Sequence, residues 1–105
     1  WAQQQVYPVI AVGDYNYDLS PKDWHQHDKG FDLIVSGGVF KWVQPTNLLP
    51  TQCNSHYNSV LDFVFVSGKA QQWAQKSTIL NPEDSYCPDT NETSDHRPVS
   101  AHFEL

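Results

Sequence analysis

The apolar residues of this chain fall into short runs that are separated by long polar stretches. Pro8-Val-Ile-Ala-Val12 and Val60-Leu-Asp-Phe-Val-Phe-Val66 are nearly continuous and rich in β-branched residues, which is typical of strands. We expect the first strand to be buried on both faces, because a continuous apolar run leaves no polar face for water. It is predicted to end in Gly13-Asp-Tyr-Asn16, and so to present an acid and an amide at its C-terminal end.

Weaker patterns predict the remaining elements. Phe31-Asp-Leu-Ile-Val35 indicates a short helix that ends at Gly37-Gly38, because glycine tolerates the left-handed conformation that follows many helices. Three further segments are predicted to be strands, namely residues 39–43, 97–103 and the second half of 72–80. The predicted loops are 17–30, 44–59 and 81–93.

These elements indicate an α+β domain over residues 1–105, with mainly one β-sheet and one or two short helices. The strands outnumber the helices that are available to cover them. One face of the sheet is therefore expected to need a partner, either another part of the same protein or a second copy of the chain.

The charge and hydrophobicity of the chain limit the classes of function that it can have. The formal net charge is −6 and only six residues are Lys or Arg, whereas proteins that bind nucleic acid usually present a basic face. Acidic side chains can instead hold a divalent cation, so phosphate chemistry stays open. No apolar run approaches the roughly 18 residues of a membrane span, so no transmembrane segment is expected.

The two cysteines, Cys53 and Cys87, both lie in polar, turn-rich sequence. An even number of cysteines in loops favours a disulfide between them, and hence an extracellular or periplasmic location. Two unrelated free thiols are the alternative.

Carboxylates and one histidine accompany the ends of three predicted strands: Asp14 with Asn16, Asp62, and Asp95 with His96. A charge within an apolar strand is costly unless it is paired. If the strands of Asp62 and His96 are neighbours, Asp62 can accept a hydrogen bond from one ring nitrogen and leave the other nitrogen for a substrate.

Each of these segments also has a purely structural interpretation. Asp14 and Asn16 are residues that often stabilise turns through their own side chains. Asp62 can be a buried acceptor that serves only the fold, and residues 94–96 can cap the last strand.

Taken together, the three segments resemble the endonuclease/exonuclease/phosphatase superfamily, which includes deoxyribonuclease I. Gly13-Asp-Tyr-Asn16, Leu61-Asp-Phe-Val-Phe-Val-Ser67 and Ser94-Asp-His-Arg-Pro-Val99 occur in the order of the last three motifs of that family. The resemblance implies a metal-dependent hydrolase of phosphate esters, whose substrate is a nucleic acid, a phospholipid or a small phosphate ester.

The resemblance also implies a role for each residue. Asp14 would align the attacking water or accept a proton from it, and Asn16 would hold a phosphate oxygen or the nucleophile. Asp62 would orient His96, which would contact the scissile phosphate. Asp95 would lie at the divalent metal, which is Mg²⁺ or Mn²⁺.

The same resemblance implies that this chain is one half of a four-layer α/β sandwich. The family takes further metal ligands and a second histidine from an N-terminal half, and no segment of this sequence matches those motifs. We therefore expect the chain to carry only one wall of the site. A non-catalytic interaction or assembly module built on the same half-fold is the alternative, and self-association is a further possibility.

Overall fold

The structure is a computed structural model that describes residues 7–19, 29–53, 58–80 and 96–105; Asp18, Cys53 and Asn58 are described by their backbone alone. The strands in these ranges are β1 (Val9–Leu19), β2 (Phe40–Trp42), β3 (Gln52–Cys53), β4 (Asn58–Ser67), β5 (Ala74–Ile79) and β6 (Val99–Glu104). The helix α1 spans Lys29–Val35, and 3₁₀ turns span Ser36–Gly38 and Gly68–Gln72. None of the helical segments in these ranges is long and apolar enough to cross a membrane.

The strands form two antiparallel sheets. In the larger sheet β4 lies between β1 and β2, and the short strand β3 also pairs with β4. The last two strands, β5 and β6, pair with each other in a second sheet. The α+β class and the short helix are confirmed, but the prediction of mainly one sheet is wrong, because β6 takes β5 and not β4 as its hydrogen-bonding neighbour.

Most of the core lies on the face of the larger sheet that α1 covers. Phe63 and Phe65 of β4 are both almost fully buried, and their ring centroids lie 5.5 Å apart. Phe31 of α1 contacts them, and its ring meets that of Trp42 edge to face at 5.4 Å. Aromatic side chains bury large areas, so this cluster supplies much of the driving force for folding.

The opposite face of the larger sheet is covered only over β4. Val64 and Val66 of β4 are buried there, whereas Ile10 and Val12 of the edge strand β1 are 46% and 66% exposed. The prediction that residues 8–12 are buried on both faces is therefore wrong. The apolar run is continuous, but the described residues leave Ile10 and Val12 exposed on the second face of β1.

Strand β1 also continues past the point where the polar residues predicted its end. Asp14 pairs with Asp62 and Leu19 pairs with Val60, so residues 15–18 of β1 lie opposite a single residue of β4. A bulge of this kind absorbs surplus residues and lets pairing resume. Leu19 is fully buried, and its burial gives the strand a reason to continue.

The segment predicted as a long loop, residues 44–59, joins the two sheets. It contains β3, which pairs with β4. Asn47 also holds β5 through both ends of its side-chain amide, since its Nδ2 donates to the Ile79 carbonyl at 2.8 Å and its Oδ1 accepts from the Ile79 N–H at 2.9 Å. The loop prediction missed these contacts because they join residues far apart in sequence.

The aromatic cluster predicts a large loss of stability on truncation. Phe65→Ala should lower the free energy of unfolding by about 3–5 kcal/mol, because a buried ring is lost and a cavity remains. The matched control is Leu33→Ala on α1, where the side chain is 77% exposed and a change within about 0.5 kcal/mol is expected. Urea denaturation followed by tryptophan fluorescence measures both values, and equal losses would contradict the assigned core.

Candidate functional site

The pairing of β1 with β4 sets two carboxylates side by side. Asp14 lies directly opposite Asp62 in the antiparallel register, so the two side chains leave the same face of the sheet. Like charges in directly opposed positions destabilise a sheet. A positive group between or beside the two carboxylates would remove this cost.

His96 joins the pair by a route that the sequence did not indicate. The predicted contact was conditional on the strand of His96 lying beside the strand of Asp62. Instead His96 bridges Gln52 of β3, and β3 in turn pairs with β4. The short strand β3, within a predicted loop, is therefore the element that brings His96 to Asp62.

The expected contact between the two side chains is present. The Nδ1 atom of His96 lies 2.8 Å from Oδ2 of Asp62. An ionised carboxylate only accepts hydrogen bonds, so Nδ1 carries the proton and Nε2 is the ring nitrogen that can act on another molecule. The side chains of His96 and Asp62 are 28% and 21% exposed, which leaves the pair ordered by its surroundings and still within reach of solvent.

The three side chains form one cluster. One ligand atom from each of Asp14, Asp62 and His96 lies within 4.8 Å of the other two. Two carboxylates supply the oxygen ligands that Mg²⁺ and Mn²⁺ prefer, and two protein ligands leave positions for water or substrate. The donor set therefore suits such an ion, with Asp14 and Asp62 as the groups that would hold it.

Asp14 has a structural role as well. Its Oδ1 accepts a hydrogen bond from the backbone N–H of Asn16 at 2.9 Å, and Asn16 adopts a left-handed conformation with φ of 54°. Asparagine is one of the few residues that adopt this conformation readily. The turn-stabilising interpretation of Asp14 is confirmed for this atom, and the contact fixes the carboxylate at the start of the bulge.

Tyr15 lies between Asp14 and Asn16, and its side chain packs on the opposite face of β1 from the cluster. Its ring stacks on Tyr17 at 5.4 Å and meets Phe65 edge to face at 5.2 Å. Burial raises the pKa of the Tyr15 phenol above its ordinary value, and the neighbouring Tyr17 raises it further. Tyr15 is therefore neutral near pH 7 and serves as an apolar anchor beside Asp14.

Two residues behind the cluster were not singled out by the sequence. Thr51 is fully buried beside β4, and its hydroxyl accepts from the backbone N–H of Asp62 at 3.1 Å. Arg97 follows His96 and is only 6% exposed, with Nη1 donating to the Pro50 carbonyl at 2.7 Å. The position of Arg97 inside the segment 94–99, directly after the candidate histidine, is a signal that the sequence carried, whereas nothing in the sequence marks Thr51.

An open apolar groove of about 470 Å³ adjoins the cluster. It runs between β1 and β6, and Val12 and Phe103 are among its walls. Asp62 is the one charged residue in its described lining. The cluster therefore borders an apolar surface on one side.

Some of the predicted site residues lie outside the described part of the chain. Asp95, the predicted metal ligand, and Cys87 are not among the described residues, and for Cys53 only the backbone, on β3, is described. The metal role of Asp95 and the Cys53–Cys87 disulfide therefore stay predictions.

Comparison with protein families, with curated proteins and with solved structures finds no match to this chain.

The hydrogen bond between His96 and Asp62 predicts an unusual histidine tautomer. With Asp62 intact, neutral His96 should carry its proton on Nδ1, whereas an unpaired histidine in water favours Nε2. Asp62→Ala should therefore shift His96 towards the Nε2–H form. Long-range ¹H–¹⁵N correlation spectra distinguish the two forms, and assignment by comparison with His96→Gln separates this ring from the other four. A wild-type ring already in the Nε2–H form would contradict the geometry.

Proposed function

We propose that this chain contributes one wall of the active site of a metal-dependent phosphoric ester hydrolase, a phosphodiesterase or phosphatase. The observation that carries the proposal is the convergence of Asp14, Asp62 and His96, whose ligand atoms lie within 4.8 Å of one another. These residues come from the three motifs that resemble the endonuclease/exonuclease/phosphatase superfamily. The motifs were identified from separate short sequence segments, and their meeting at one place supports the proposal.

Phosphoryl transfer requires little covalent chemistry from the protein. Catalysis depends on holding the nucleophile in line with the phosphorus and on neutralising the charge that develops on the phosphate oxygens. A bound Mg²⁺ or Mn²⁺ would supply part of that charge and polarise the phosphate. The protein side chains must then orient water and substrate around it.

In this proposal Asp14 orients the attacking water in addition to contacting the metal, and Asn16 contributes a polar group beside it. Asp62 has a second task besides metal binding, since its Oδ2 atom is hydrogen-bonded to Nδ1 of His96 at 2.8 Å. That contact stabilises the protonated ring, so Nε2 of His96 can donate to a phosphate oxygen as negative charge builds up. Asp95 is proposed as a further metal ligand.

The site is proposed to be completed by an N-terminal half-domain. Three ligand atoms are few for a magnesium ion that must also hold a substrate, and the resemblance assigns further ligands to residues that do not occur in this sequence. The isolated chain is accordingly expected to be inactive. A longer chain that includes such a half-domain is the form in which activity is expected.

The class of substrate stays open among nucleic acid, phospholipid and small phosphate ester. The net charge of −6 disfavours a mode of nucleic-acid binding that depends on a basic surface of this chain. The proposed disulfide between Cys53 and Cys87 would suit an extracellular or periplasmic enzyme.

An interaction or assembly module is the second candidate function. The exposed side chains of Ile10 and Val12, beside the apolar groove, favour it, because exposed apolar surface often marks a contact site. Such a module would need neither the Asp62–His96 contact nor a metal. Loss of hydrolysis in site variants therefore separates the two functions.

Hydrolysis should depend on His96 and on a divalent metal. In the longer chain, His96→Ala should lower kcat for bis(4-nitrophenyl) phosphate by about a hundredfold or more, because the group that stabilises the developing charge is lost. Removal of the metal with EDTA should abolish turnover, and added Mg²⁺ or Mn²⁺ should restore it.

The matched control for this assay is His102→Ala, since His102 is an exposed histidine on β6 outside the cluster. Its activity should equal that of the parent enzyme. Hydrolysis that survives His96→Ala unchanged would refute the proposed role, and absence of hydrolysis in the longer chain for all three substrate classes would favour the assembly function.

Metal binding has a signature that does not require activity. Mn²⁺ is paramagnetic, so weak binding at the cluster should broaden the NMR signals of Asp62 and His96 before those of other residues. Asp14→Asn should reduce this broadening, because an amide replaces a charged oxygen ligand. Glu104→Gln, an exposed acid on β6, is the control and should leave it unchanged. Broadening spread evenly over exposed acidic residues would indicate that no site exists in this half.

A further inference from the structure

Thr51 has an unusual set of partners for a residue in a predicted loop. It is fully buried, and its Oγ1 accepts two hydrogen bonds, from the backbone N–H of Leu61 at 2.8 Å and from that of Asp62 at 3.1 Å. Its own N–H donates to the Ser59 carbonyl at 3.0 Å. One side chain thus fixes two consecutive residues of β4, the second of which belongs to the candidate site.

Two consecutive N–H groups that point to one oxygen are not a feature of a regular strand. In an extended strand, successive N–H groups point to opposite sides, towards different neighbours. In a bulge, two successive N–H groups can share one acceptor, and the strand bends and redirects the side chains there. At Leu61 and Asp62 the Thr51 hydroxyl takes the place of that acceptor, opposite residues 15–18 where the register of β1 shifts.

The same short segment also fixes the position of His96. The carbonyl of Thr51 accepts from the backbone N–H of Arg97 at 2.6 Å, and the Pro50 carbonyl accepts from Nη1 of Arg97 at 2.7 Å. Gln52 forms the β-bridge to His96. Residues 50–52 therefore contact the backbone on one side of the cluster at Asp62 and on the other side at His96 and Arg97.

We propose that Thr51 is a positioning residue, whose hydroxyl fixes the β4 backbone at Leu61 and Asp62 and so sets the 2.8 Å contact between Asp62 and His96. The significance of this role rests on the proposed hydrolase function, but the geometry does not. Thr51 itself is buried and contacts no substrate. It acts through the direction of the Asp62 carboxylate and the Nδ1–H tautomer of His96.

The test compares two substitutions that differ in whether the hydroxyl is kept. Thr51→Val keeps the branched shape but leaves two backbone N–H groups without this acceptor, so the β4 backbone at Asp62 should shift and the His96–Asp62 contact should be lost. Thr51→Ser keeps the oxygen and should retain the contact. The measurement on the 105-residue chain is the His96 tautomer, which should shift towards Nε2–H in Thr51→Val and stay Nδ1–H in Thr51→Ser.

A matched control accounts for lost stability. Ser77 of β5 is also buried, and its hydroxyl donates to the Ser100 carbonyl at 2.9 Å, away from the cluster. Ser77→Ala should lower stability and leave the His96 tautomer unchanged. If Thr51→Val does not fold, Thr51→Ser decides, since loss of the Nδ1–H form in a folded Thr51→Ser chain would overturn the proposal. Retention of that form in a folded Thr51→Val chain would overturn it as well.

Turnover in the longer chain links this role to catalysis. Thr51→Val should lower kcat by about ten- to a hundredfold with a smaller change in KM, as for other residues that orient a catalytic group, and Thr51→Ser should restore it. If no variant hydrolyses phosphate esters but the tautomer still follows Thr51, the proposed function fails and the positioning role stands. If hydrolysis is present but is equal in Thr51→Val and the parent enzyme, the positioning role fails.

Discussion

The alternation of side chains along β4 is the constraint on which both the core and the candidate site depend. Phe63 and Phe65 point to the face that α1 covers and are almost fully buried, so β4 cannot slip by one residue without expelling both rings. The same register fixes Asp62 on the opposite face, across from Asp14. The large hydrophobic free energy of the core thus holds an electrostatically unfavourable pair of carboxylates in place.

That unfavourable pairing of Asp14 with Asp62 is the feature on which the proposed metal site depends. A carboxylate that serves the fold alone needs one hydrogen-bond donor, and Asp14 has such a donor in the N–H of Asn16, as Asp62 has in His96. It does not need a second carboxylate opposite it, which costs stability. Functional sites are where proteins tolerate such local conflicts, and a divalent cation would relieve this one.

The sequence predicted the elements that have strong local patterns and missed those that depend on distant partners. The strand of residues 60–66 and the helix before Gly37 were predicted from apolar runs and from glycine. The Asp62–His96 contact was predicted from the cost of a lone charge, on the condition that the two strands are neighbours, and it forms instead through β3. The extension of β1 to Leu19 was not predicted, because the residues of its bulge resemble a turn. Strand β3 was not predicted either, since two residues carry no periodicity and its pairing is set by β4.

The role of Thr51 could not be predicted either, because it depends on residues that are distant in the sequence. A threonine in a loop is ordinary, and its importance comes from two consecutive N–H groups of β4 that donate to its hydroxyl opposite the bulge of β1. In a regular strand, consecutive N–H groups point to opposite neighbours. A side-chain oxygen can lie where no carbonyl reaches, so Leu61 and Asp62 both have an acceptor at this irregularity. The loop that supplies this oxygen also holds Arg97, and the positions of Asp62 and His96 are therefore set together.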